Sequence, residues 1–282
     1  MTTVKPRRFA RALAVAWSPV ALLLAALSPV AWSLAAAEPS PATIEEALAG
    51  LETSQAAAAT WQGFGIGSYA RYRQQTQSER YGVRDESYSE TLVRATDEAL
   101  YVETAVSGTG DAVTLPQSRR SGELAAANAR PLGPETVYHE SRRYDTQVYA
   151  FRRERRISYV IDVDLHTFWL AARVPGGVVK VRHERREINL LDPDRPVRIR
   201  KDVETVLTDT DVPIRVGSET LLSYCYQTRG FQGGDPVNAR NCFNDRVPGG
   251  LVRQEARQQE DGGEDRTATH QLVEFRAVEK EW

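Results

Sequence analysis

The chain has 282 residues, with 36 basic against 38 acidic side chains, a formal net charge of −2 and two cysteines. It is long enough to bury a substantial core, and an acidic balance without an aromatic stacking motif excludes a nucleic-acid partner. Of the basic residues 32 are Arg and four are Lys, a bias that reads first as high-GC codon usage.

Lys5, Arg7, Arg8 and Arg11 precede an apolar, alanine-rich run from Ala12 to Ala37, and the first acidic residue is Glu38. That is the charge order of an export signal, and Ala35-Ala36-Ala37 supplies the small residues a signal peptidase reads. Residues 1–37 are therefore expected to be a signal peptide cleaved after Ala37, sending the chain by the general secretory route to the periplasm or outside the cell. A retained anchor is the alternative, since 26 residues can cross a bilayer, although Pro19, Pro29 and three serines weaken a spanning helix. No cysteine lies in this segment, which excludes a lipid-modified amino terminus. The remaining 245 residues carry 32 basic and 38 acidic groups, a balance of −6, and offer no second apolar span, so no integral membrane span is expected after cleavage. Residues 38–282 are expected to be a single β-rich domain.

Ser40-Pro41 opens a predicted helix of roughly 15 residues: serine caps free amides, proline fits the first turn, and Glu45 and Glu46 suit the positive helix end. Ile44, Leu48 and Leu51 fall on one narrow face, so the helix needs something larger to pack on. "GELAAANAR" is long enough for two further turns. "GFGIG", Gly63 to Gly67, places three glycines on one face of a predicted strand, a smooth face open to close approach by backbone or by the helix. It fails the dinucleotide fingerprint because Ser68 stands where a third glycine is required. Beyond Trp61 the period is that of strands, as in "ETLVRATDEALYVETAV" and "ISYVIDVDLHTFWLAA". The fold class is mainly β (α+β), a curved antiparallel sheet or half-barrel with the amino-terminal helix packed on it. Ser107 to Glu135, rich in Gly, Pro, Ser and Ala, reads as one 29-residue loop, a lid or disordered flap.

"RVPGGVVK" at 173–180 returns as "RVPGGLVR" at 246–253, 73 residues later. Pro175 and Pro248 fix φ, and Gly176, Gly177, Gly249 and Gly250 can take the positive φ of a type II turn or bulged hairpin. Strands are expected to run from Thr167 to Val174 and from Asn241 to Val247 into these corners. Recurrence within one sheet and duplication of a domain both remain open. Cys225 and Cys242 are expected to form a structural disulfide in an oxidising compartment, since Cys-x-x-Cys spacing is absent.

Strand alternation puts Asp162, Asp164 and His166 of "DVDLH" on one face and Ile161, Val163 and Leu165 on the other. Two carboxylates and an imidazole suit a metal or acid-base work, and equally describe the wet face of a half-buried strand. No fourth ligand or base partner is visible in the sequence. Residues 142–201 hold 15 basic and eight acidic groups, +7, against −13 for the rest of the expected mature chain. Arg152, Arg153, Arg155 and Arg156, with Arg182, Arg185 and Arg186, are placed on neighbouring strands as an anion-binding surface. The alternative is a set of solvated ladders with Glu154, Glu184 and Glu187. No Gly-x-Ser-x-Gly elbow occurs; Ser68, Ser218 and Ser223 have no assignable His partner, and His139, His183 and His270 read as surface residues. No catalytic residue, metal or cofactor is assigned.

A helix followed by a long run of antiparallel strands, one of them glycine-rich, resembles the LolA-type half-barrel over most of residues 42–282. An aromatic strand running into Val-Pro-Gly-Gly, as in "FWLAARVPGG" and "CFNDRVPGG", is similar to exported bacterial proteins of that general shape. The resemblance implies a concave apolar face that receives acyl chains under a lid; no functional residue of that family maps onto this chain. The leading expectation is an exported, non-enzymatic binding or carrier protein for a lipid or amphipathic envelope ligand, covered by the loop at 107–135. The alternatives are an envelope module binding an anionic polymer through the arginines, and a metal-assisted hydrolase around Asp162, Asp164 and His166.

Overall fold

A computed structural model of the chain describes residues 61–78, 82–108, 110–118, 129–139, 141–175, 177–192, 196–259 and 265–280. The expected leader, the helix from Ser40 and most of "GELAAANAR" lie outside these residues, while Trp61 and Gln62 are helical. Among the described residues no helix is long and apolar enough to cross a membrane. The rest of the regular structure is strand: β1 (Tyr69–Ser78), β2 (Gly82–Ala95), β3 (Ala99–Val106), β4 (Ala112–Ser118), β5 (Arg130–His139), β6 (Arg142–Ile157), β7 (Val160–Leu170), β8 (Val178–Asn189), β9 (Arg198–Val216), β10 (Glu219–Gln232), β11 (Asp235–Phe243), β12 (Leu251–Gln259) and β13 (Asp265–Arg276).

These strands form one antiparallel sheet in the order β4-β3-β2-β1-β13-β12-β11-β10-β9-β8-β7-β6-β5. Sequence neighbours pair everywhere except at one place. β1 pairs with both β2 and β13, so β4 and β5, consecutive in the chain, become the two edges. The sheet is curved, because β9 touches both β13 and β5, each four places away. Arg142 at the start of β6 donates to Thr210 Oγ1 on β9 at 3.1 Å. It is open, since the edges do not pair.

The stretch from Ser107 to Glu135 is not one loop: β4 and the start of β5 lie within it. Pro116, Pro131 and Pro134 disguise these strands in the sequence. An edge strand bonds on one side only, so it tolerates missing amides, and proline there discourages further pairing. "GFGIG" is likewise a turn leading into β1 and not a strand. The expected close approach exists at one glycine: a Cβ on Gly65 would lie 2.5 Å from the carbonyl oxygen of Glu279. Ser68 Oγ donates to Gly65 O at 2.7 Å and accepts from Val278 N at 2.9 Å, fastening this turn to the segment after β13.

Both octamers are hairpin corners, but the strands end earlier than expected, at Leu170 and Phe243. Each corner has seven residues and the same three backbone bonds. In the first, Ala171 N bonds Gly177 O at 2.9 Å, Val174 N bonds Ala171 O at 3.3 Å and Gly177 N bonds Val174 O at 3.0 Å. In the second, Asn244 N bonds Gly250 O at 2.8 Å, Val247 N bonds Asn244 O at 3.1 Å and Gly250 N bonds Val247 O at 2.8 Å. Two successive turns, the later one over Val-Pro-Gly-Gly, explain why the octamer recurs. Gly249, third in its turn, has φ +80°, as a type II turn demands. The indole of Trp61, 1% exposed, lies 3.3 Å from where a Gly249 Cβ would sit.

Opposite faces of the central strands feed different cores. Tyr224 and Tyr226 of β10 and Phe243 of β11 join Phe151, Phe168, Leu170, Val181 and Leu207. Leu221, Cys225 and Cys242, from the same two strands, join Ala70, Tyr72, Ile214, Val216, Val252 and Leu272. Alternation along a strand makes this division, and burial on both faces makes β10 and β11 the anchor of the sheet. Cys225 and Cys242 are directly opposed across β10 and β11 and are disulfide-bonded. Large aromatics such as Phe168 and Phe243, both 1% exposed, each contribute about 2–3 kcal/mol by leaving water.

Candidate functional site

The face of β6–β9 that carries the aromatic core changes chemistry along the strands, and the register gives the order. Nearest the first corner, Tyr149, Phe168, Val181 and Thr205 stand side by side. The next row is Phe151, His166, His183 and Val203; then Arg153, Asp164, Arg185 and Lys201; then Arg155, Asp162, Glu187 and Arg198. Apolar packing thus gives way to two imidazoles, and these to rows of mixed charge. Asp162, Asp164 and His166 do share a face, as alternation requires.

His166 and His183 occupy facing positions, and their rings stack with centroids 4.0 Å apart. His183 Nε2 lies 3.2 Å from Asp164 Oδ1. With that nitrogen donating to the carboxylate, Nδ1 of His183 is a bare lone pair, and no donor faces it. Nδ1 of His166 is also buried without a partner. Asp164, His166 and His183 each offer one ligand atom, and the three atoms lie within 4.8 Å of one another. Asp162 is held at 2.5 Å by Arg185 and stands outside this triplet.

Burial dominates the electrostatics. It lowers the His166 pKa to about 3, with the neighbouring His183 adding to the effect, and lowers that of His183 as well. Both rings are therefore neutral near pH 7. The hydrogen bond from His183 holds Asp164 below the usual carboxylate range. Lys201, 7% exposed, is pushed down to about 8 by burial, partly opposed by the attraction of Asp164.

His183 and Lys201 escaped the sequence reading. His183 sits in "RHERR", where its charged neighbours hid its inward direction. Lys201 had a legible signal, because it alternates with Val203, Thr205 and Leu207, all inward-facing. His270 is also not a surface residue: it is 8% exposed, and its Nδ1 meets the Tyr88 hydroxyl at 3.2 Å. Charged flanks give no sign of the direction in which a histidine on a strand points.

The seven arginines divide into two groups. Arg152 pairs with Glu154 and Arg186 with Glu184 within a strand, and Arg182 with Asp202 and Arg185 with Asp162 across strands; Glu154 and Asp202 are solvated, whereas Asp162 and Glu184 are buried. Arg153 and Arg155 are exposed and have no carboxylate at ion-pair distance among the described residues, and Arg156 donates to the Ser158 carbonyl. β6 and β8 are not adjacent; β7 runs between them. At the end of the sheet where these arginines lie, Ile157, Tyr159, Leu190, Leu191, Val197 and Ile199 are all exposed. A bond from Leu190 N to Tyr159 O at 2.8 Å joins the β6–β7 turn to the segment after β8.

Among the described residues, neither Ser68 nor Ser223 is hydrogen-bonded to a histidine. Ser68 serves the turn before β1. Ser223 lines a cavity of about 240 Å³ beside the second corner, with Pro175, Asp211, Leu222, Tyr224, Asn244, Asp245 and Arg246, and no histidine lines it.

No family model matches the chain, and no curated protein matches it. Solved structures similar to it include a protein from Bacteroides fragilis described as exported and of YmcC-like fold. It is 10% identical, with 76% of this chain and 98% of that one covered at a TM-score of 0.27. A protein from Parabacteroides distasonis described as a lipoprotein is 11% identical, with 76% and 97% covered at 0.25. The MucA/MucB complex of Pseudomonas aeruginosa is 11% identical, with 79% and 96% covered at 0.17. TM-scores this low assign neither a fold family nor a function to the chain.

Proposed function

We propose that the chain is an exported, non-enzymatic binding module that engages an anionic amphipathic ligand of the cell envelope at the arginine-rich end of β6–β9. The supporting observation is one juxtaposition. Six large apolar side chains stand exposed at the end of β6, at the start of β9 and on the turns between, at the end of the strands that carries Arg153, Arg155, Arg156 and Arg198; of the acidic groups there, Glu154, Asp162 and Glu187 are paired with Arg152, Arg185 and Arg200, and Asp192 is exposed. An exposed apolar patch costs solubility unless something covers it, and flanking cations fit an anionic headgroup region. Export rests on the amino-terminal charge order and the alanine site after which cleavage is expected.

The ligand meets the tip and not the interior. The aromatic core on the inner face of β6–β11 is filled by its own side chains, with Tyr226 and Leu207 at 0% exposure. The cover expected from residues 107–135 is not part of this reading, because strands occupy much of that stretch.

Sedimentation with vesicles of phosphatidylglycerol and phosphatidylcholine tests the proposal. The protein is expected to bind the anionic vesicles, to release them as salt rises, and to ignore pure phosphatidylcholine. Arg153→Ser with Arg155→Ser weakens binding, and Leu191→Ser weakens it at constant charge. Binding indifferent to all three substitutions refutes the reading. Binding that needs the arginines but not Leu191 replaces it with an anionic-polymer module.

A further inference from the structure

We infer that Asp164, His166 and His183 form a binding site for a divalent transition-metal ion. The inference does not depend on the lipid reading, although Arg153 of that tip faces Asp164 across the β6–β7 pair.

Three observations converge. The donor atoms lie within 4.8 Å of one another, close enough for one ion to be drawn among them. The residues come from two paired strands whose register is fixed by β6 on one side and β9 on the other, so the scaffold holds them without relying on loops. His166 is 9% exposed, and its Nδ1 is buried with no hydrogen-bond partner, as is Nδ1 of His183. A buried polar nitrogen without a partner costs about 1–3 kcal/mol, which coordination through His166 Nδ1 relieves, while His183, whose Nε2 faces Asp164, joins by exchanging that hydrogen bond for the ion.

Two imidazoles and one carboxylate select the class of ion. Nitrogen donors favour zinc, cobalt, nickel or copper over calcium and magnesium, which prefer all-oxygen shells. Three protein ligands leave at least one position for water or an anion, as in open zinc sites. Lys201 and Arg185 flank Asp164 and oppose a bare cation. They also favour an anion in the open position. Asp162, already bound to Arg185, is left out, so the grouping differs from the Asp162, Asp164 and His166 set drawn from alternation alone.

The test uses the mature chain without a histidine tag, stripped with a chelator and titrated with Co²⁺ and Zn²⁺, followed by calorimetry and by the visible absorption of cobalt. One equivalent is expected to bind, with a cobalt spectrum of low coordination number, while Ca²⁺ and Mg²⁺ give no heat. His166→Gln and His183→Gln each abolish saturable binding, whereas His139→Gln leaves it unchanged. Lys201→Met tightens binding about tenfold by removing a nearby positive charge. Circular dichroism confirms that each variant is folded; if either histidine variant is not, Asp164→Asn takes its place. Absence of one-equivalent cobalt binding overturns the inference, as does binding that survives in folded His166→Gln and His183→Gln or disappears in His139→Gln.

Discussion

Lys201 places a charge where the fold must hold it at a cost. The ammonium is 7% exposed, and burial brings its pKa from the usual 10.5 to about 8. At 1.36 kcal/mol per pH unit, that fall corresponds to about 3 kcal/mol of preference for the neutral form in the folded chain. Between pH 8 and 10.5 the unfolded chain holds this proton and the folded chain has released it, so stability rises with pH across that window. Below pH 8 both states are protonated and the full cost persists. Lys201→Met keeps the length of the side chain and removes the charge, so at pH 7 it is expected to stabilise the fold by about 2–3 kcal/mol. Urea denaturation followed by circular dichroism reads this as a midpoint about 1 M higher. The gain is expected to shrink between pH 8 and 10.5. A less stable variant at pH 7, or a gain that stays constant across that window, refutes the argument. The expected result makes Lys201 a residue whose presence stability does not explain, consistent with a role beside Asp164.

Burial lowers the His270 pKa to about 4, so as pH falls from 6.5 to 4 the unfolded chain takes up the proton first and about 3 kcal/mol of stability is lost. Urea midpoints measured across that range should fall, and His270→Gln should flatten the slope; identical slopes would remove His270 as the cause. Replacing Cys225 and Cys242 together by Ala opens a loop with a sequence separation of 17 and should cost about 3 kcal/mol, read as a lower urea midpoint. A parent protein under reducing conditions should match that variant. Gly230 has φ +144°, and its Cβ would lie 2.0 Å from the Asp202 carbonyl oxygen, so Gly230→Ala should cost more than about 3 kcal/mol. Gly63 has nothing within 4 Å of its Cβ position, and Gly63→Ala should stay within about 0.5 kcal/mol when the urea midpoints of both glycine variants are compared with the parent.

Strands were legible where period-two alternation was strong, as along β7, whose inward residues follow the pattern of "DVDLH". The paired cysteines were legible from their number, their spacing and the export expected of the chain. The corners were legible in kind, because Pro and Gly dictate a turn, but not in extent: the first begins at Ala171, which carries no turn signal, and the second at Asn244, whose Oδ1 accepts from Arg246 N, a turn signal read as strand. β4 and β5 were hidden by Pro116, Pro131 and Pro134, whose meaning depends on whether a strand lies at an edge. "GFGIG" shows the same limit: its glycines serve a turn pressed against the backbone of Glu279, a partner more than 200 residues away. The cluster at Asp164 was half legible. Alternation delivered Asp164 and His166, whereas His183 and Lys201 reach them only through the pairing of β7 with β8 and of β8 with β9, which no local pattern encodes.

The pairing of β1 with β13 sets a schedule for assembly. β5 through β13 can zip in sequence, each hairpin closing beside the one before it, but β1 finds its second neighbour only after the thirteenth strand has been delivered. The hairpins of the first four strands must wait, with one flank of β1 bare, until a partner about 200 residues downstream arrives, a long-range closure that slows folding. Joining residue 280 to residue 61 through a short linker and cutting within 119–128 would turn the same sheet into a plain up-and-down meander. That rewired chain should refold faster than the natural one while keeping every strand in its place.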